Sequence, residues 1–310
     1  MTSAEVTTRA QPIRLRAERR RYGEDVVKGV LAVCALVSVV TTVGIVIALL
    51  VPSLEFFREV SPIDFFSGST WAPLFKPAHF GVLPLVVGTL VVTFWAAVVC
   101  MPLGLGSAIY LSEYAGQRVR RVLKPALEIL AGIPTVVYGF FALTVFTPFL
   151  KDLGTGVSTF NLLSAGLVMG VMLIPTVASI SEDAMAAVPQ DLRDGAYGLG
   201  ASRLQVSTRV VVPAAVSGII ASYVLAISRA VGETMIVLIA AGLLAQVTFD
   251  PREQGETMSA FIAATGIGDV PTGSIEYKTI FAVGLTLFVM TIAMNIVSIR
   301  LVRKYREVYE

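Results

Sequence analysis

The sequence predicts an all-α integral membrane protein with six transmembrane helices, and its composition supports that class. Of 310 residues, 55% are hydrophobic and only 15% are charged, whereas soluble domains carry about 25% charged residues. The charged residues cluster between apolar runs, and several runs are long enough to cross a hydrocarbon core of about 30 Å. The net charge of +2 says little by itself, and we predict no nucleic-acid partner.

The N-terminal part combines a basic tail with a first membrane span. Residues 1–25 are predicted to be a basic cytoplasmic tail, because arginines cluster between Arg14 and Arg21 and basic residues beside a first span hold that side in the cytoplasm. The run Gly29–Val51 is uncharged and too long for a signal-peptide core, so it is predicted to remain as the first span. Residues 26–310 are then one transmembrane domain.

Five further apolar runs are predicted to complete the set of six spans. They are about Gly81–Tyr110, Leu127–Leu150, Leu162–Ile180, Ser217–Gly242 and Thr279–Val302. In the fourth span, Gly166 and Gly170 lie four residues apart, a spacing that lets helices approach closely and therefore predicts a packing face.

The distribution of basic residues predicts the orientation. Lysine and arginine concentrate in the N-terminal tail, the C-terminal tail and the connections 111–124 and 181–213, and they are few in 52–80, 151–161 and 243–278. An excess of positive charge marks the cytoplasmic side. Both termini are therefore predicted to be cytoplasmic. Some of the aromatic residues of 52–80 are expected to be interfacial anchors. Others are expected to form a docking surface for an external partner, together with the acidic 243–278 connection.

The cytoplasmic segment Pro189–Pro213 differs from the rest of the chain because it reads as short soluble helices. Its leucines recur at roughly helical spacing, and Gly195, Gly198 and Gly200 are predicted to interrupt the run as a turn. A helix–turn–helix between two spans is suited to being held by a protein outside the membrane. The alternative is an ordinary soluble hairpin.

A spacing pattern in this segment resembles the cytoplasmic motif of bacterial ABC-importer membrane subunits. That motif is Glu-Ala-Ala, three residues, Gly, nine residues and Ile-x-Leu-Pro. Here the chain has Asp194-Gly195-Ala196, Gly200, and Val210-Val211-Val212-Pro213 at the same spacing. Gly195 is the departure that matters most, because Gly loosens a helix by roughly 1 kcal/mol relative to Ala. The resemblance implies that Asp194, Gly195, Ala196, Gly200 and Pro213 couple the chain to an ATPase.

Two charges fall inside the predicted fifth span. Arg229 lies near its middle and Glu233 lies one helical turn further on, so the two side chains can pair on one face. Each charge would cost a few kcal/mol or more in lipid. They form either a structural ion pair or a translocation site, in which the donor fork of arginine suits phosphate oxygens. Ser222 and Thr234 are predicted to line the same pathway.

The segments Arg229–Met235 and Ala131–Gly139 resemble signatures of PstC-type permeases of bacterial phosphate importers. The likeness extends over about residues 25–305. It implies a type I ABC-importer permease fold in the bacterial inner membrane, and half of a phosphate pathway. It also implies three partners, namely a PstA-like permease, a PstB-like ATPase dimer that holds ATP and Mg, and a PstS-like external phosphate-binding protein.

The sequence argues against an enzyme and leaves the transported anion open. No Gly-x-x-x-x-Gly-Lys motif occurs, so any ATP is expected on a partner chain. The chain has one histidine and two cysteines, which predict neither a catalytic constellation nor a metal site. Molybdate or sulfate is an alternative substrate, and a secondary transporter or a membrane-embedded enzyme are alternative classes.

Overall fold

Helices dominate the fold. The computed structural model describes residues 22–304, so most of the basic tail and residues 305–310 lie outside the described part. The helices are α1 Tyr22–Glu59, α2 Pro62–Ser67, α3 Leu83–Ile109, α4 Gln117–Gly132, α5 Thr135–Phe141, α6 Thr147–Asp152, α7 Leu162–Ala186, α8 Gln190–Gly198, α9 Arg203–Val206, α10 Val212–Ala214, α11 Val216–Val231, α12 Met235–Ala240, α13 Met258–Ile267 and α14 Ile275–Lys304. Short π-helical turns follow α3, α5 and α9 at Tyr110–Tyr114, Ala142–Phe146 and Ser207–Val211. The strands β1 Trp71–Ala72 and β2 His79–Phe80 pair antiparallel.

The helix lengths agree with the predicted membrane class. Within residues 22–304, four helices are long and apolar enough to cross a bilayer, and two bent helix pairs raise the number of candidate spans to six. The single helices are α1, α3, α7 and α14, and the bent pairs join α4 to α5–α6 and α9–α10 to α11. The orientation of the termini stays a prediction.

The predicted third span, Leu127–Leu150, is wrong as one helix. The chain bends by 87° between Gly132 and Thr135. The cause is Pro134, which has extended backbone angles of φ −58° and ψ 136° and disfavours helix in the residue before it. No side chain of the preceding helix α4 is fully buried, although Leu130 packs partly against the main core. The two arms of this pair together are long and apolar enough to count as one candidate span.

The predicted fifth span, Ser217–Gly242, also breaks. Helix α11 ends at Val231, and α12 begins only at Met235. Gly232 lies at the break, where a residue without a side chain adds little to helix stability. The break separates Arg229 from Glu233 and changes the interpretation of both residues.

Close packing of α3 on α7 forms the centre of the main core. A Cβ atom added to Gly170 would lie 2.6 Å from the Val99 Cβ, and one added to Gly104 would lie 2.6 Å from the Val177 Cβ. A Cβ atom added to Gly166 would lie 2.8 Å from the Trp95 Cβ. The predicted packing role of Gly166 and Gly170 is confirmed, because only glycine lets these two backbones approach so closely.

A second, aromatic core lies at the end of the bundle where α3 begins. Phe56, Phe65 and Trp71 are buried there against Phe261 of α13. The Trp71 and Phe261 rings meet edge to face with centroids 4.9 Å apart, a favoured aromatic geometry. The prediction that the aromatic residues of 52–80 are interfacial anchors is therefore wrong for these three, whereas Phe75 remains 72% exposed.

Residues 22–48 and residues 49–304 form two compact units. In the first unit, the side chains of residues 24–45 are all exposed. Most of them are apolar, which suits a helix surrounded by lipid or by another membrane protein.

Candidate functional site

Glu233 stabilises the start of α12 and does not pair with Arg229. Its Oε1 accepts hydrogen bonds from the backbone N–H groups of Met235 and Ile236 at 3.1 and 3.4 Å. The Ser259 hydroxyl donates to the Glu233 carbonyl oxygen at 2.6 Å. The carboxylate thus satisfies N–H groups that a helix start leaves free. The predicted Arg229–Glu233 pair is wrong, because the helix ends between the two residues.

Arg229 lies in the last turn of α11, and its side chain is exposed. Nothing within residues 22–304 offers it an ion pair or a hydrogen bond. Its neighbour Ser228 donates to Asn295 Oδ1 of α14 at 3.0 Å, so the polar groups of α11 and α14 meet beside it. The carbonyl end of α11 favours a cation at this position. Within residues 22–304, the guanidinium therefore has no ionic partner, and its contact with a substrate stays a prediction.

The two other predicted pathway residues have different surroundings. The Ser222 hydroxyl is fully buried and lies 2.8 Å from the Ser181 hydroxyl of α7. Thr234 is half-buried at the break, where its hydroxyl donates to the Gly232 carbonyl at 3.3 Å. Ser222 therefore joins α11 to α7, and Thr234 lies beside the break. Their contact with a substrate stays a prediction.

The two segments that resemble phosphate-permease signatures meet in the fold. A Cβ added to Gly139 of α5 would lie 3.1 Å from the Met235 carbonyl oxygen and 3.0 Å from Ile239 Cδ1, both on α12. The Tyr138 hydroxyl donates to the Leu130 carbonyl of α4 at 2.7 Å, which holds the two sides of the Pro134 bend together. The breaks at Pro134 and Gly232 are thus linked through α5 and α12.

The predicted helix–turn–helix is confirmed as α8, a turn and α9. Gly200 forms the turn with φ +83°, a left-handed conformation that glycine adopts without steric cost. The Gly200 and Ala201 N–H groups donate to the Tyr197 and Ala196 carbonyls at 2.9 and 3.1 Å, which is the Schellman pattern of a helix end. Gly195 is helical, as is Gly198, so the prediction that these two glycines interrupt the run is wrong.

The turn presents an apolar tip. Leu199 is 91% exposed and Leu204 is 63% exposed, while Asp194 is exposed on α8 and receives a hydrogen bond from Gln190 at 3.2 Å. Exposed leucines beside a charge are typical of a protein contact surface. Pro213 lies in the short helix α10 and is exposed as well.

Three buried charges in or near this hairpin were missed by the sequence reasoning. Arg193 of α8 and Glu113 after α3 are each only 9% exposed, and they form an ion pair at 3.3 Å. Glu182 of α7 is 1% exposed and lies within ion-pair distance of Arg120 and Lys124 of α4, although neither of its oxygens makes a regular hydrogen bond. Glu182 falls just beyond the apolar run of its span, but no sequence pattern identified the cations that it meets.

The acidic connection 243–278 carries less free charge than its composition suggests. Asp250 pairs with Arg252 at 2.6 Å, and this hydrogen-bonded pairing lowers the pKa of Asp250 to about 2. Burial raises the pKa of Glu256 to about 8, so this carboxyl is mostly protonated at neutral pH. Glu253 and Asp269 remain exposed.

The amino-acid sequence is similar to those of known transport permeases. A family model described as "Binding-protein-dependent transport system inner membrane component" matches residues 101–307. The probable ABC transporter permease protein YqgH of Bacillus subtilis is 37% identical over 299 residues, which cover 95% of this chain and 96% of that protein. The phosphate transport system permease protein PstC of Mesorhizobium japonicum is 32% identical over 279 residues, with 83% of each chain covered. PstC of Haemophilus influenzae is 30% identical over 303 residues, covering 92% of this chain and 94% of that one.

Solved structures show the same fold. A bacterial ABC transporter that imports the acidic polysaccharide alginate has a TM-score of 0.63 at 15% identity, covering 93% of this chain and 100% of that one. The inward-facing MetNI methionine ABC transporter has a TM-score of 0.55 at 19% identity, covering 73% and 95%. The predicted type I importer permease fold, inner-membrane location and non-enzymatic role are confirmed, and the ATPase is a separate subunit. The chain therefore belongs to the family of binding-protein-dependent transport system inner membrane components, as an ABC transporter permease.

Proposed function

We propose that this chain is the permease subunit of a phosphate importer and forms half of its translocation pathway. The relatives named PstC support phosphate as the substrate. The observation that carries the proposal is the exposed, unpaired guanidinium of Arg229 at the end of α11. A planar fork of donors matches the oxygens of a tetrahedral anion.

The position of Arg229 requires a partner on its open side. A guanidinium in contact with acyl chains costs several kcal/mol, so it faces protein or a wet cavity. Glu233 cannot neutralise it, because its carboxylate is held by the N–H groups of α12. A second, PstA-like permease that covers this side of α11 would enclose the guanidinium in a pathway between two subunits.

The hairpin α8–α9 is the proposed contact with the ATPase. The apolar tip at Leu199 and the exposed Asp194 suit a groove on a PstB-like subunit, which would hold ATP and Mg. Asp194, Gly195, Ala196, Gly200 and Pro213 retain the coupling role that the motif implies. A PstS-like protein would deliver phosphate at the opposite end, near Glu253 and Asp269.

Another oxyanion is the second candidate, because the site does not distinguish among tetrahedral anions. A single arginine offers the same donors to phosphate, sulfate and molybdate. The discrimination among these anions would then belong to the external binding protein. Competition by each anion during transport separates the two candidates.

The test uses the complete complex in proteoliposomes, with radiolabelled phosphate on the outside and ATP on the inside. Arg229→Gln should lower phosphate uptake about 10- to 100-fold, because a charge-assisted hydrogen bond contributes roughly 1.5–3 kcal/mol. Arg300→Gln is the matched control, since Arg300 is an exposed arginine on the spanning helix α14, and it should retain uptake. Normal uptake by Arg229→Gln would contradict the role of Arg229, and sulfate or molybdate uptake in place of phosphate would contradict the substrate.

A further inference from the structure

Arg193 differs from its neighbours on the hairpin because its side chain points into the protein. It is the buried residue of α8, at 9% exposure, whereas Leu192 and Asp194 on either side are exposed. A long cation is rarely buried unless it is paired. Its partners therefore indicate what holds α8 in place.

The guanidinium binds two backbone carbonyls, one in the last turn of α7 and one in the short connection that follows it. Nη1 donates to the Val188 carbonyl oxygen at 2.5 Å, and Nη2 donates to the Met185 carbonyl oxygen at 2.7 Å. The last carbonyls of a helix have no partner within the helix and favour a positive charge. One side chain of α8 thus closes the end of a membrane-spanning helix.

The same guanidinium also binds the end of α3. Nη2 lies 3.3 Å from Glu113 Oε1, in the π-helical turn that follows α3, and the Ser112 hydroxyl donates to that carboxylate oxygen at 2.9 Å. Tyr114, the residue after Glu113, makes a second contact with the hairpin, since the Arg203 guanidinium of α9 lies 5.4 Å from the centre of its ring. Arg203 is exposed, so its contact is the weaker of the two.

We propose that Arg193 is the positioning residue that joins the hairpin to α3 and α7, so that a displacement of α8 moves both spanning helices together. The proposal rests on the coupling role proposed for the hairpin and names the link through which it acts. A guanidinium is required because its fixed fork reaches two carbonyls and a carboxylate at once, whereas an ammonium is a point charge. Arg193 itself makes no contact with the transported anion.

The first experiment measures the anion transported per ATP hydrolysed in proteoliposomes that contain the complete complex. Arg193→Met keeps an apolar stem and removes the donors, and this ratio should fall about fivefold or more. Arg193→Lys should restore part of the ratio. Glu113→Gln removes the charge of one partner and keeps the carbonyl contacts, so it should cause a smaller fall. Arg209→Met is the matched control, since Arg209 is an exposed arginine in the π-helical turn that follows the hairpin, and it should leave the ratio unchanged.

The second experiment separates a lost link from a general loss of structure. Spin labels at Asp191→Cys and Tyr110→Cys, both exposed, report the distance between α8 and the end of α3, after Cys34→Ser and Cys100→Ala have removed the native thiols. Arg193→Met should broaden the distance distribution, while the ATPase subunit should still co-purify. An unchanged distribution, or a transport ratio that equals that of Arg209→Met, would overturn the proposal.

Gly200→Val distinguishes failure of the link from failure of the coupling site, because the turn at φ +83° disfavours a side chain. If Gly200→Val lowers the ratio and Arg193→Met does not, the hairpin couples without this link and the inference is wrong. If neither variant lowers it, the coupling role of the hairpin is wrong as well.

Discussion

The close approach of α3 and α7 predicts that a single methyl group at Gly170 destabilises the protein. A Cβ at this position would lie 2.6 Å from the Val99 Cβ and 2.8 Å from the Ala96 carbonyl oxygen. Carbon atoms pack best at about 3.5–4.0 Å, so the two helices would have to separate locally by about 1 Å. Forcing extra volume into a packed core costs about 1–3 kcal/mol.

The gain from helix propensity offsets part of this cost. Alanine is better than glycine in a helix by about 1 kcal/mol, so Gly170→Ala should destabilise by about 2 kcal/mol or less. Gly106→Ala is the matched control, because Gly106 lies in α3 with no atom near the added Cβ, and it should maintain or raise stability.

Thermal unfolding of the purified complex in detergent measures the difference. The midpoint for Gly170→Ala should be lower than for the parent by a few degrees, and the midpoint for Gly106→Ala should not be lower. If the two variants unfolded at the same temperature, the reasoning from the α3–α7 contact would be refuted.

Two further predictions follow from buried carboxyl groups. Burial raises the pKa of Glu256 from 4.5 to about 8, so its contribution to stability is fully present below pH 4.5 and is lost as pH rises through 8. Glu256→Gln should therefore flatten the decline of the unfolding midpoint between pH 5 and 9. If this decline had the same slope in the variant and the parent, the assignment of the effect to Glu256 would be wrong. Glu182→Gln removes the buried charge that holds Arg120 and Lys124, so trypsin should cleave α4 faster than in the parent. Asp191→Asn, at an exposed acidic residue of α8, is the control and should leave the cleavage rate unchanged.

Features with a local cause could be predicted from the sequence. The apolar runs that became α1, α3, α7 and α14 are defined by their own composition, and the turn at Gly200 is defined by a residue that adopts positive φ easily. The packing role of Gly170 followed from its spacing to Gly166, because a stripe of small residues favours close helix contact.

Features that depend on distant residues could not be predicted. The four-residue spacing predicts that Glu233 pairs with Arg229. Instead, Glu233 accepts hydrogen bonds from backbone N–H groups that lack a helical partner, because a new helix starts after the break. Arg193 and Glu113 are 80 residues apart, and nothing in either local sequence indicates the other. The break before Thr135 contains a visible proline, but an apolar run across it favoured one continuous helix.

The contact between Gly139 and α12 has a mechanical consequence for the two interruptions in the helices. Helix α5 starts after the Pro134 bend and α12 starts after the Gly232 break. At Gly139 the two helices lie so close that an added Cβ would be 3.1 Å from the Met235 carbonyl oxygen. Because α5 and α12 pack closely at this point, we expect a displacement of one helix to be transmitted to the other. The segments that follow the two interruptions therefore form one packed unit.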